Sequence, residues 1–165
     1  QALYPNHVWT WDFISDRTDK GSTLKMVTMV DEYSRRCVAI RVGRQLDSAQ
    51  VLITLWQAMA VYGIPAYIRS DNGSEFIARK IQTWLKDNHI KTLYIDPGSP
   101  WQNGYIESFH SRFRDECLNR EWLLNLREAR VVIEDWRQHY NKERPHSKLG
   151  YLSPERFLQM KKVSP

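Results

Sequence analysis

Residues 70–76 read SDNGSEF and residues 104–116 read GYIESFHSRFRDE. Between Asp71 in the first and Glu107 in the second lie 35 residues. Asp71 stands where the short apolar run AYIRS meets an Asn72-Gly73 turn. It is therefore expected at the C-terminal end of a strand, where open α/β sheets bind their ligands. Glu107 falls in the first turn of a helix predicted over 104–119. A third acid, Asp12, lies inside the strand-like run HVWTWDFI. An acid inside an apolar strand is costly to bury, and a cation held jointly with Asp71 and Glu107 would account for it.

Working outward, residues 7–14 alternate. Val8, Thr10, Asp12 and Ile14 share one face and Trp9, Trp11 and Phe13 the other. Both faces are largely apolar, which predicts a central strand covered on both sides. Polar turns at DRTDKG and EYSR separate it from strands at about 24–31 and 37–42, an antiparallel meander. Asp47-Ser48 opens a helix with Val51, Leu52, Leu55, Met59 and Tyr62 at helical spacing, ended by Gly63-Ile64-Pro65. The strand at 66–70 follows that helix, so parallel pairing with the first strand is expected. A helix over 74–89 and a strand over 91–95 come next. Glu75 sits in that helix's first turn, where the dipole favours an acid, and is read as structural.

The stretch 96–104 carries two Pro and two Gly and is expected to be an exposed loop, with Gln102 and Asn103 at its end. In the following helix Ile106, Phe109, Phe113 and Cys117 make an apolar seam, while Glu107, His110, Ser111 and Arg114 share a neighbouring face. His110 is read as a surface residue. Arg114 lies two turns, about 10.5 Å, beyond Glu107. A last helix is expected over 127–140. The tail NKERPHSKLGYLSPERF follows, with Pro145 and Pro154 read as helix breakers.

The bulk numbers agree with one catalytic-sized domain. The 165 residues are 42% hydrophobic, enough for a core. The net charge of +5 suits a polyanionic partner and ordinary solubility charge about equally. Seven Trp and eight Tyr are many for this length, some for the core and some able to face a ligand with flat surfaces such as bases. Cys37 and Cys117 have no paired metal-binding spacing, and free thiols fit a reducing compartment. No apolar run reaches membrane-spanning length.

Three clustered carboxylates suit divalent metal and phosphoryl transfer. Two hard cations about 4 Å apart can activate an oxygen nucleophile and support the leaving oxygen. Asp12 is assigned as the shared ligand, Asp71 to one ion and Glu107 to the other. Nineteen acids allow many triples, and Asp16, Asp31 and Asp96 are the decoys.

The ordered motifs WTWDFI, VDEYSR (30–35), SDNGSEF and GSPWQNGYIESFHSRFRDECL resemble the retroviral-integrase catalytic core. The tail YNKERPHSKLGYLSPERF resembles more closely the integrase-like transposase subunit of bacterial insertion sequences. The resemblance covers nearly the whole chain. It implies a ribonuclease-H-like α/β fold with a mixed five-stranded sheet, three strands antiparallel and the others parallel, flanked by helices. It implies a core over 1–143 and a basic extension of the same domain over 144–165. It implies a DDE transposase or integrase with catalytic and metal-binding Asp12, Asp71 and Glu107 and two Mg²⁺ or Mn²⁺ ions. Arg114, Asn103, Gln102 and His110 are the candidate DNA contacts. The implied partners are DNA (mobile-element ends and target) and further copies of the chain, in a bacterial cytoplasm. The family's N-terminal DNA-recognition region is not seen in this sequence. Two other readings use the same residues: a DNA-binding module without catalysis, and a ribonuclease acting on RNA–DNA hybrids.

Overall fold

The computed structural model of the chain describes residues 1–71, 75–95, 104–120 and 123–163, without the side chains of 75–78 and 163. Five strands form one sheet: β1 (Val8–Arg17), β2 (Thr23–Asp31), β3 (Cys37–Gly43), β4 (Tyr67–Ser70) and β5 (Lys91–Tyr94). Their spatial order is β3-β2-β1-β4-β5. The first three pair antiparallel, as the turn spacing predicted, and β4, which follows a helix, runs parallel to β1 as expected, with β5 parallel to β4. Helices α1 (Ser48–Tyr62), α2 (Glu75–Asp87), α3 (Gly104–Phe113), α4 (Leu126–Lys142) and α5 (Pro154–Val163) flank it. Helix α3 runs on into a π-helical turn over Arg114–Leu118.

The alternation in β1 sorts the core into two layers. Trp9 and Trp11 join Val51 and Leu55 of α1 and Ile81 and Leu85 of α2. Ile14 packs on the other face, against a cluster with Phe109, Phe113, Ile133, Trp136 and Tyr140 from α3 and α4. Each large side chain moved out of water contributes about 1.5–3 kcal/mol. Only the first half of β1 is covered on both sides. Residues 8–11 are buried, but from Asp12 onward the strand alternates between half-buried and exposed. The site acid sits at that transition.

Local chemistry fixes the joints. Asp47 caps α1 by accepting from the Gln50 N–H, and Gln50 reciprocates to the Asp47 N–H. Gly63 ends the helix at φ 104°, where a Cβ would come within 2.7 Å of Asn6 Nδ2. The edge strand β3 is protected by α4, whose Asn141 accepts from the Cys37 N–H and donates to the Cys37 carbonyl, both at 2.8 Å.

The tail departs from expectation. Pro154 does not break a helix; it opens α5. A proline loses nothing in the first turn, where its missing N–H would have no intrahelical partner. Helix α5 is tied to the body by the Arg36–Glu155 ion pair at 3.3 Å and by Phe157 against Tyr33. Helix α4 also extends beyond its expected end, to Lys142. No helix among the described residues is long and apolar enough to cross a membrane.

Candidate active site

Asp12 sits on the central strand opposite Thr28 of β2. The parallel register Thr10↔Arg69 between β1 and β4, carried two residues further, brings the chain at Asp71 alongside Asp12. Glu107 enters from the first turn of α3, which packs across β1 and β2. Asp71 and Glu107 are exposed and Asp12 is half-buried.

The electrostatics of Asp12 tie the three together. Burial raises its pKa above the ordinary 3.8, and the negative charges of Asp71 and Glu107 raise it further. The Phe13 N–H, donating to Asp12 Oδ1 at 2.8 Å, opposes both. Acids remote in sequence therefore share one field. They are not drawn into a tight set: among the described residues no three His, Cys, Asp or Glu side chains form a ready metal-binding group. Mutual repulsion of like charges favours such spreading. The donor chemistry fits a hard divalent cation, since it is all carboxylate oxygen. Cys37 offers no competing thiolate, because complete burial pushes its thiol up to about 12.

The decoys have other duties. Asp31 is fully buried and organises the β2–β3 turn, accepting from Ser34 Oγ at 2.6 Å and from the Asn6 N–H at 3.2 Å. Asp16 accepts from the Arg17 N–H. Asp96 lies outside the described residues, as do Gln102 and Asn103.

His110 requires a correction. The helical wheel put it on the outward face beside Glu107, but it is only 9% exposed. Its Nε2 lies 2.6 Å from the Thr28 hydroxyl, which lies 3.4 Å from the Asp12 carbonyl. Burial, with the nearby charge of Arg114, lowers its pKa to about 4, so the ring is neutral at pH 7. A neutral Nε2–H donating to Thr28, which donates on to Asp12, uses one proton per bond and satisfies each group. The result is a polar link from α3 to β1 behind the acids. Sequence reasoning missed Thr28. The signal was available: a β1–β2 hairpin turning near residue 20 places position 28 opposite position 12. Arg114 begins the π-helical turn, is half-buried, and reaches the Ser15 carbonyl at 3.5 Å with Nη2.

With this geometry in hand, the likenesses to known proteins are specific. A family model described as "Integrase core domain" matches residues 2–100, and a second of the same description matches 88–154. An insertion element IS476 protein of Xanthomonas euvesicatoria is 44% identical over 93% of this chain and 44% of its own length. An IS407 protein of Burkholderia multivorans is 42% identical over 93% of this chain and 55% of its own. A transposase InsF of an IS3 insertion sequence from Escherichia coli is 27% identical over 94% and 55%. The chain thus spans about half the length of these relatives. Among solved structures, a simian T-cell lymphotropic virus intasome superposes with TM-score 0.81 at 18% identity, over 100% of this chain and 58% of that one. The magnesium complex of the HTLV-2 integrase catalytic core follows at TM-score 0.66 and 20% identity, over 95% and 98%. The fold is ribonuclease-H-like, as the motifs implied.

Proposed function

The chain belongs to the integrase core domain family, and on that premise we propose that it is the DNA-cutting and DNA-joining core of an insertion-sequence transposase. The observation that carries this is the shared field at Asp12, where charges from β4 and α3 act on an acid of β1. The insertion-element relatives and the magnesium-bound viral core support it.

In this reading Asp12, Asp71 and Glu107 would hold two Mg²⁺ or Mn²⁺ ions, with Asp12 as the shared ligand. Bound there, the ions would lower the pKa of a water or 3′-hydroxyl and neutralise charge on the leaving oxygen. The protein's share is placement. Asp12 is fixed by the β1–β2 ladder and by Thr28 behind its carbonyl. Glu107 rides on a helix held to the same strand pair through His110. Arg114, two turns on, would contact a phosphate of the bound strand, and Gln102 and Asn103 would do so from the preceding segment. His110 acts as a positioning residue behind Asp12, not as a DNA contact. The attack is in line at phosphorus by an oxygen nucleophile, and the protein's carboxylates form no covalent bond to DNA. The working form is an oligomer on paired DNA ends, in the cytoplasm.

The test is Asp12→Asn, Asp71→Asn and Glu107→Gln in the full-length protein, assayed for Mn²⁺-dependent cutting and joining of element-end DNA. Each is expected to abolish both reactions while the protein stays folded. A variant that still cuts loses its residue's role, and three active variants reject the reading.

A further inference from the structure

The opposite flank of α3 borders a cleft of about 420 Å³ lined by Arg35, Tyr105, Ser108, Arg112, His146 and Lys148. Three of these six are permanent cations, drawn from the β2–β3 turn, helix α3 and the tail. No carboxylate lines it among the described residues. Four arginines elsewhere are neutralised: Arg36 by Glu155, Arg69 by Glu32, Arg137 by Glu134 and Arg144 by Glu116. Arg35, Arg112 and Lys148 make no ion pair among the described residues. Arg35 instead lies over the Tyr105 ring, 4.0 Å from its centroid, and Arg112 donates to Ser108 Oγ at 2.7 Å.

Holding like charges together around partly buried ground costs free energy that an anion would return. Arg35 shows the cost: burial chiefly, and then the charge of Arg112, lower its pKa against the opposing pull of Tyr105, Tyr140 and Glu32. A second observation points into the same cleft. His146 is only 3% exposed, yet its Nδ1 has no hydrogen-bond partner among the described groups. A buried ring nitrogen left unmade costs about 1–3 kcal/mol. Burial first, then Arg112, Arg35, Arg144 and Lys148, hold its pKa down to about 4. An orphaned polar atom, three unpaired cations, and tyrosine and serine hydroxyls make a site for an oxyanion with several acceptor lone pairs.

We propose that this cleft binds a backbone phosphate of the DNA strand that crosses α3, away from the scissile bond. It rests on the reading of the chain as a DNA-processing core. Tyr105, Ser108 and Arg112 lie roughly 100–160° around the helix from Glu107. The cleft therefore takes a different phosphate from the one at the acids. Its ligand is charge and shape, not sequence, because phosphate contacts position without specifying. On this account the tail motif RPHSKLG delivers His146 and Lys148 to the flank of α3.

The experiment uses this chain in EDTA, so that metal chemistry plays no part. Binding of a short duplex is followed by fluorescence anisotropy across a salt series. The double substitution Arg112→Ala/Lys148→Ala is expected to weaken binding about tenfold and flatten the log K against log salt slope by about 1. Arg112→Lys/Lys148→Arg, which keeps the charge, should retain most of both. Unchanged affinity and slope in the alanine pair overturn the inference, as does a wild-type chain without salt-dependent DNA binding. Inorganic phosphate supplies the other arm. Phosphate that saturates the cleft, read by NMR at His146 and Tyr105, without competing with DNA assigns it to a free anion and also overturns the proposal. Failure of the transposase reading looks different: the acid variants would go on cutting DNA whatever the salt slope shows.

Discussion

On one side of α3, Glu107 joins Asp12 and Asp71 in a field negative enough to raise the pKa of Asp12. On the other, Arg35, Arg112 and Lys148 surround His146 with positive charge. Both regions gather like charges, and both meet on a helix of ten residues. Several places elsewhere do the reverse. Arg144 and Glu116, for example, form a forked pair with contacts of 2.6–2.8 Å. Like charges gathered in one place in a folded protein mark a candidate ligand site. In the proposed reading the two flanks of α3 differ in their ligand, a cation at the acids and a phosphate at the bases.

If that division is right, substitutions on the two flanks should produce separable losses. The largest expected effect is catalytic. Removing one acid should lower metal-dependent cutting by the full-length protein at least about 10³-fold, as when a group acting in a concerted set is lost. The metal-free salt slope of DNA binding should not fall in the same variants. An acid variant that lost DNA binding in EDTA would erase the distinction between the flanks. Next in size is stabilisation by metal. Mn²⁺ at about a hundred times its Kd should add about 2.7 kcal/mol to wild-type stability, seen as a raised Tm. Asp12→Asn should abolish that gain and Arg112→Ala should not. A gain persisting in Asp12→Asn would show that the ion binds elsewhere.

The two regions were unequally legible in the sequence. The sheet was readable because period-2 alternation and polar turns are local signals, and β1 to β5 lie close to their expected places. The three acids could be singled out because each stands in a distinctive motif at the edge of an element. The basic cleft was not, because Arg35, Arg112 and Lys148 belong to three elements, and each alone passes for a solvated surface charge. His110 was misread for a related reason. A helical wheel shows which residues share a face, but not how broad a stripe the neighbouring strands cover. Thr28 and β1 reach far enough round α3 to bury it. In the tail, Pro154 was judged as a breaker without regard to its position at a helix start.

A third prediction concerns the link behind the acids. Thr28→Val keeps the side-chain shape and removes the hydroxyl between His110 and Asp12. The buried His110 Nε2 would lose its partner, so stability should drop by about 1–3 kcal/mol in denaturant unfolding. Activity should fall with it, while Thr28→Ser should restore most of both. The salt slope at the basic cleft should stay fixed, since the cleft shares no residue with this link. A Thr28→Val protein as stable as wild type would mean that the hydroxyl carries no such bond, and α3 would then be held by apolar packing alone.

The smallest effect is the metal-free response of Asp12 to pH, and it carries a sign. Its folded-state pKa is raised above 3.8, chiefly by burial and further by Asp71 and Glu107. The folded protein therefore binds a proton more readily than the unfolded chain. Below pH 3.8 the acid is protonated in both states and favours the fold. As pH rises through the folded-state pKa that support is lost, and at neutral pH the ionised carboxylate is a net burden. Asp12→Asn removes the burden while leaving an oxygen to accept from Phe13. In EDTA its Tm should exceed the wild-type value at pH 7, and the two should converge as pH falls toward 3.8. Adding Mn²⁺ should reverse the order at pH 7, because only the carboxylate gains from the cation. If the two proteins melt together in EDTA at every pH, Asp12 does not sense its neighbours, and the field that defines the acid flank is absent.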